Sequence, residues 1–229
     1  CSLANYSYNQ SHFSLPQFND NIVHFSAKEL AHPLIHPEKR VANDFAIDNR
    51  TRLIIVTGAN MAGKSTFLRT LGINFLLARC GAPVCAREMT LAPLPLYTSM
   101  RTADSLFDDE SYFFAELKRL KQILDEAEKN IPLFILLDEI LKGTNSVDKL
   151  NGSRKLLKKM TGLQTLTVVA THDLKLTDLE DECPGVIRNY CFEIGLNDRE
   201  MTFNYKIVQG VTQTMNASFM MKKMGLIDE

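Results

Sequence analysis

Residues 53–66 read L-I-I-V-T-G-A-N-M-A-G-K-S-T, and they decide the fold. The stretch opens with an uninterrupted apolar run, Leu53 to Thr57, and passes through a glycine-containing segment into a helical pattern from Lys64 to Arg79. A short continuous apolar run, rather than an alternating one, is typical of a strand buried on both faces of a parallel sheet. The stretch therefore predicts a buried strand, a tight loop and a helix in direct succession.

Two further apolar runs repeat this pattern, at Leu133 to Leu137 and at Leu166 to Ala170. Helical patterns cover residues 111–129 and 146–161, so predicted strands and helices alternate along the chain. This alternation predicts an α/β fold with a mostly parallel central sheet flanked by helices. Catalytic residues are then expected at the carboxyl ends of the strands.

The last quarter of the chain predicts an additional antiparallel β portion. Tyr190 to Ile194 and Met201 to Val208 are strand-like, and the turn-forming residues 195–198 join them into a hairpin. We interpret residues 1–30 as the remnant of a preceding domain together with an edge strand. Residues 31–229 are then the main domain, with a helical segment at its carboxyl end.

The composition indicates a globular protein. Of 229 residues, 45% are apolar and 23% are charged, which suffices for one sizeable core. The net charge of −1 provides no global basic field that would attract nucleic acid.

Five cysteines without a C-x-x-C pair argue against a disulfide framework and favour a cytoplasmic location. No apolar run reaches the roughly 20 residues of a membrane helix, so no membrane contact is expected. The first residue, Cys1, suggests a segment cut from a longer protein.

The glycine-containing segment matches the pattern G-x-x-x-x-G-K-[ST] in the required context, after a strand and before a helix. Its residues are Gly58, Ala59, Asn60, Met61, Ala62, Gly63, Lys64, Ser65 and Thr66. The glycines let successive backbone N–H groups point into one concavity, to which the helix amino terminus adds its dipole. The segment therefore predicts a site for the phosphates of ATP. Lys64 is expected to reach the β- and γ-phosphates, and Ser65 to ligate Mg²⁺.

Acidic and basic side chains follow the other two predicted strands. Asp138 and Glu139 lie at the end of the second strand, where Asp138 can hold the hydration shell of Mg²⁺ and Glu139 can orient or deprotonate water. His172 follows the third strand and could hydrogen-bond the γ-phosphate or the attacking water. A carboxylate beside the metal ligand predicts an ATPase rather than a kinase. Ser111, at the start of a predicted helix, is by itself best interpreted as an N-cap, although a helix amino terminus also attracts anions.

The order of these motifs resembles the ATPase domain of the MutS mismatch-repair family, a branch of the ABC ATPase fold of P-loop NTPases. The resembling segments are T-G-A-N-M-A-G-K-S-T at 57–66, S-Y-F-F-A-E-L at 111–117, L-L-D-E-I-L-K-G-T-N-S at 136–146 and A-T-H-D-L at 170–174, with A-H-P at 31–33 and A-N-D at 42–44 upstream. The similarity spans about residues 30–225.

The resemblance implies a composite site, in which Ser111 of one subunit completes the γ-phosphate pocket of another in a homodimer. It also implies that Asn60 contacts the nucleotide and that Val41 and Asn43 border the adenine. Residues 143–146 would lie at the dimer interface. ATP-dependent dimer closure would be coupled to binding of double-stranded DNA through domains outside this segment, as in a DNA repair protein.

The sequence also departs from the family pattern. Mismatch-repair members usually have Pro and Gly where this chain has Ala59 and Ala62, and a glycine after the aspartate where it has Asp148-Lys149. These departures favour a divergent MutS-like protein over a mismatch-repair enzyme. The alternatives are another ABC-type ATPase of transport or chromosome maintenance, a P-loop kinase, or a nucleotide-gated module that does not hydrolyse ATP. The first would carry an L-S-G-G-Q-like segment where this chain has Glu110-Ser111-Tyr-Phe.

Overall fold

The computed structural model describes residues 2–9, 13–19, 24–100, 112–196 and 201–213. The helices are α1 (Ser2–Asn9), α2 (Lys64–Arg79), α3 (Tyr112–Ala127), α4 (Ser146–Thr161) and α5 (Leu179–Glu182), with 3-10 helices at Pro37–Lys39 and Leu174–Leu176. The strands are β1 (Gln17–Phe18), β2 (Phe25–Leu30), β3 (Asn43–Ile47), β4 (Leu53–Gly58), β5 (Glu88–Leu91), β6 (Leu96–Ser99), β7 (Leu133–Asp138), β8 (Thr165–Ala170), β9 (Ile187–Leu196) and β10 (Met201–Gln209). Within these ranges, no helix is long and apolar enough to cross a membrane.

The larger sheet has six strands in the order β10-β9-β4-β8-β7-β6. All neighbours are parallel except β9 and β10, which form an antiparallel hairpin. The predictions of a mixed α/β fold, a mostly parallel sheet and a late hairpin are therefore confirmed. The predicted turn of the hairpin, in part, and the carboxyl-terminal helical segment lie outside the described residues.

The apolar runs are continuous because both faces of the large sheet are covered. In β4, Ile54 and Val56 face one hydrophobic core, whereas Leu53 and Ile55 face another on the opposite side. The first core is completed by α2 and the smaller sheet, and the second by α3, α4 and α5. A strand that is covered on both sides by helices or by a second sheet has no face in solvent. Apolar and polar residues therefore do not alternate along its sequence.

The smaller sheet has the order β1-β5-β2-β3 and shares the first core. Its residue Phe25 stacks on Phe134 of β7, with the ring centroids 6.0 Å apart. Residues 1–30 thus supply both the edge strand of this sheet, β1, and one of its inner strands, β2. That a separate domain precedes residue 31 stays a prediction.

The strand register aligns the carboxyl ends of three neighbouring strands. Val56 of β4 pairs with Ala170 of β8, which in turn pairs with Asp138 of β7. Because the three strands are parallel, the residues that follow them emerge at one edge of the sheet. The glycine-containing loop, the acidic pair and His172 are therefore brought together by backbone pairing alone.

Candidate functional site

The loop between β4 and α2 turns on two glycines with left-handed torsions. Gly58 has φ 146°, and a Cβ there would lie 2.8 Å from the carbonyl oxygen of Phe192 in β9. Gly63 has φ 111°, and a Cβ there would lie 3.2 Å from the ring of Tyr205 in β10. Glycine is the residue that tolerates both the torsion and the close approach. The loop is therefore shaped by the two strands of the hairpin.

Lys64 opens α2 and is almost fully buried, with 5% of its surface exposed. Its ammonium Nζ donates hydrogen bonds to the carbonyl oxygens of Gly58, at 2.7 Å, and Ala59, at 3.0 Å. Burial lowers the pKa of Lys64, and the negative charges of Glu139 and Asp138 oppose this shift. A cation is thus held inside the loop at the amino terminus of a helix, which itself favours anions.

Ser65 and Asp138 form a direct pair across the site. The hydroxyl Oγ of Ser65, in the first turn of α2, donates to the carboxylate Oδ1 of Asp138 at 3.0 Å. Asp138 is the last residue of β7 and has 9% of its surface exposed. Two oxygen atoms from different elements therefore face each other beside the loop.

Glu139 leaves the sheet with a left-handed backbone, at φ 54°. Its N–H still donates to the carbonyl oxygen of Ala170, at 2.9 Å. Its carboxylate Oε2 lies 2.5 Å from Nζ of Lys142 and 3.6 Å from Nδ1 of His172. Burial raises the pKa of Glu139, but the hydrogen bond and charge of Lys142, with the charges of His172 and Lys64, outweigh it and leave the pKa lowered. The carboxylate is consequently ionised at neutral pH.

A short turn after β8 places His172 beside this carboxylate. The N–H of Thr171 donates to the carbonyl oxygen of Val56 at 3.0 Å, which extends the parallel ladder by one residue. The hydroxyl of Thr171 then accepts the N–H of Asp173, also at 3.0 Å. The imidazole of His172 is half exposed at the sheet edge.

One cavity of about 1110 Å³ joins these groups. The predicted site residues that line it are Val41, Asn43, Gly58, Ala59, Asn60, Met61, Gly63, Lys64, Ser65, Thr66, Asp138, Glu139 and His172. Ala62 is buried within the loop and is not among the lining residues. Ser111 lies outside the described residues, so its predicted contribution stays a prediction.

Two further lining residues, Lys142 and Tyr205, were not predicted from the sequence. Lys142 could have been suspected as a cation three residues after Glu139. In the sequence, Phe203, Tyr205 and Ile207 occupy alternate positions, as they would on one face of a regular strand. In the structure the register shifts between those two residues, and Tyr205 has φ 53°. Asn43 holds this bulge, since its side chain donates to the carbonyl oxygen of Tyr205 and accepts the N–H of Ile207.

Comparison with known proteins identifies the family. The family model for MutS domain V matches residues 54–226, which is most of the chain. The chain belongs to the MutS domain V family. The DNA mismatch repair protein MutS of Lachnoclostridium phytofermentans is 32% identical over 220 residues, covering 91% of this chain and 23% of that protein. MutS of Chlorobium phaeovibrioides is 35% identical over 177 residues, which cover 76% of this chain and 20% of that protein. MutS of Streptococcus pyogenes is 30% identical over 207 residues, which cover 87% of this chain and 24% of that protein. The chain spans about a quarter of the length of these curated relatives.

These matches correct the placement made from the sequence. We expected a divergent MutS-like member of the ABC ATPase superfamily, set apart from the mismatch-repair enzymes. The relatives named above are mismatch-repair proteins, and the matching model is MutS domain V. At two of the departures, Ala59 and Ala62, the side chains are buried, and the N–H of Ala62 donates to the carbonyl oxygen of Ala59 at 3.3 Å.

Proposed function

We propose that this chain binds ATP together with Mg²⁺ and hydrolyses it, as the nucleotide-driven part of a MutS-type DNA repair protein. One observation carries the proposal. A buried lysine, a serine–aspartate pair, an ionised glutamate and a histidine meet in one cavity at the edge of a parallel sheet, beside the amino terminus of α2. Membership of the MutS domain V family supports the same function.

The loop and Lys64 account for triphosphate binding. The first N–H groups of a helix have no partner within the helix, so those at the start of α2 can donate to phosphate oxygens. The buried ammonium of Lys64 supplies a positive charge where little water can screen it. These donors recognise phosphate without regard to the base.

The Ser65–Asp138 pair suits Mg²⁺. No group of three or more His, Cys, Asp or Glu side chains able to hold a metal occurs in the described part of the chain. Mg²⁺ in nucleotide sites needs fewer protein ligands, because phosphates and water supply the rest. The Ser65 hydroxyl and the Asp138 carboxylate, whose oxygens are 3.0 Å apart, would hold the ion or its bound water. When bound, the ion would neutralise charge on the β- and γ-phosphates.

Glu139 is positioned to activate water. Its ionised carboxylate accepts a proton from a water molecule whose oxygen attacks the γ-phosphorus, and the bond from that phosphorus to the β–γ bridging oxygen breaks. ADP and inorganic phosphate are the products. His172, 3.6 Å from the same carboxylate, can hold the water or a γ-phosphate oxygen. The hydrogen bond and the charge of Lys142 lower the pKa of this carboxylate.

We assign to Tyr205 the role of stacking against the nucleotide base. Its ring lies next to Gly63, and Tyr205 lines the same cavity as Val41 and Asn43. We predict that Tyr205→Ala weakens ATP binding by about fivefold to a hundredfold, since stacking on an aromatic ring contributes about 1–3 kcal/mol per base. Tyr205→Phe should retain the affinity. Calorimetric titration with ATP and with inorganic triphosphate provides the check. An equal loss for triphosphate, which has no base, would show that the substitution had disturbed the phosphate loop instead.

The dimeric mechanism is the second part of the proposal. Ser111 of one subunit would complete the site of another, and closure would act on DNA bound by other parts of the protein. We predict that the ATPase rate per molecule rises with protein concentration, and that Ser111→Ala removes this rise without abolishing ATP binding. Hydrolysis measured across a dilution series, with mass followed by light scattering, tests both statements in the full-length protein.

The outcomes of this series separate the parts of the proposal. A rate per molecule that is independent of concentration and of Ser111 leaves an ATPase but removes the composite site. Transfer of phosphate to an acceptor other than water would point to a kinase. Binding without turnover in the full-length protein would point to a nucleotide-gated module. If the full-length protein did not bind DNA even at low ionic strength, DNA would be excluded as its partner.

A further inference from the structure

Glu116 on α3 makes a contact that the mechanism above does not use. Its carboxylate Oε1 accepts the backbone N–H of Leu141 at 2.6 Å. The second oxygen, Oε2, is buried and has no hydrogen-bond partner among the described residues. Burying a carboxylate oxygen without a hydrogen bond is unfavourable. The hydrogen bond that Oε1 accepts from Leu141 offsets part of this cost.

The turn that receives this hydrogen bond has an unusual backbone. Glu139 has φ 54° and Leu141 has φ 58°, so two residues without the freedom of glycine are left-handed within three positions. Such torsions persist where the surroundings enforce them. Leu141 is nearly buried, with 7% of its surface exposed, and its N–H is engaged by Glu116. The Glu116 hydrogen bond thus fixes the middle of the turn that carries Glu139 and Lys142.

Two packing contacts support the same turn. The backbone of Gly143 lies so close to α3 that a Cβ there would be 2.5 Å from Cβ of Phe113. The side chain of Leu141 packs on α4, where a Cβ at Gly152 would lie 3.0 Å from Cδ1 of Leu141. The turn therefore lies between α3 and α4, and α3 supplies one of the two packing contacts together with the polar contact.

We propose that Glu116 is a positioning residue for Glu139. Its carboxylate holds the Leu141 N–H, which maintains the left-handed turn and keeps the Glu139 carboxylate at the cavity beside Lys142 and His172. Because Glu116 lies on the helix that follows Ser111, displacement of α3 would change the position of Glu139. This inference rests on the proposed ATPase function for its kinetic consequence, but the effect on the turn does not depend on turnover.

The test compares Glu116→Ala and Glu116→Gln in the full-length protein. Glu116→Ala should lower kcat by about tenfold to a hundredfold, as expected when a hydrogen bond to a charged group is lost. The affinity for ATP should stay near that of wild type, since the loop and Lys64 are untouched. Glu116→Gln retains an acceptor oxygen but not the charge, and should lose less. Amide hydrogen exchange should accelerate in peptides covering residues 139–143 and not in those covering residues 58–64.

Glu126→Ala is the matched control on the same helix, because Glu126 forms a surface ion pair with Lys129. It should leave both kcat and exchange unchanged. The proposal is overturned if Glu116→Ala leaves exchange at 139–143 at the wild-type rate. It is also overturned if kcat falls only in proportion to the loss of folded protein or of ATP affinity. A wild type without ATPase activity would refute the proposed function, whereas the exchange experiment would still decide the role of Glu116 in the turn.

Discussion

Replacing Glu139 with glutamine should leave a protein that binds ATP but turns it over about 100-fold to 10,000-fold more slowly, which is the usual contribution of a positioned general base. The amide keeps the shape of the side chain and an acceptor for Lys142, 2.5 Å away in the wild type. It cannot accept a proton from water at neutral pH. Single-turnover hydrolysis of ATP, together with equilibrium binding of ATP and ADP, measures the two effects separately.

The control for this variant is Glu88→Gln, because Glu88 forms an exposed ion pair with Lys28 on the smaller sheet. Its kcat and nucleotide affinity should match those of wild type. If Glu139→Gln hydrolysed ATP at the wild-type rate, the water-activating role would belong elsewhere. A parallel loss of affinity and rate would instead indicate that the neutral side chain had disturbed the turn at 139–142.

The sequence predicted the large sheet well because its physical signals are local. Strands β4, β7 and β8 are built on short, mainly apolar runs, and α2 and α4 have the predicted bounds. The parallel order of these strands then placed Gly58, Asp138 and His172 at one edge without further information. The smaller sheet was harder to predict, because β2 pairs with β3 and with β5, which is separated from it by more than 50 residues. Such pairings depend on tertiary packing rather than on periodicity.

The loop between β4 and α2 could likewise be predicted, because its residues are contiguous and its glycines and lysine have a chemical reason for their type. The residues that complete the site could not. Tyr205 reaches the cavity through a bulge, and that bulge is held by Asn43 on a distant strand. Glu116 contacts Leu141 across 25 positions of the chain. Both contacts arise only when the elements pack, so neither leaves a pattern in the local sequence.

Replacing Lys64 with methionine should weaken ATP binding by about tenfold to a hundredfold, the usual effect of losing a hydrogen bond to a charged group. The loss should be larger for ATP than for ADP, because the ammonium is assigned to the β- and γ-phosphates. Methionine fills a similar volume in a position with 5% exposure. Calorimetric titration with both nucleotides measures the difference.

Folding stability should change far less than affinity in this variant. The hydrogen bonds from Lys64 to the carbonyl oxygens of Gly58 and Ala59 are lost, which is unfavourable. Burial, however, lowers the pKa of Lys64, which means that desolvation of the ammonium destabilises the folded protein. Removal of the ammonium therefore offsets part of the stability lost with the two hydrogen bonds. Lys158→Met, at an exposed lysine paired with Glu182 on the surface, should bind ATP as wild type does. An unchanged ATP affinity in Lys64→Met would show that the buried ammonium does not bind the nucleotide.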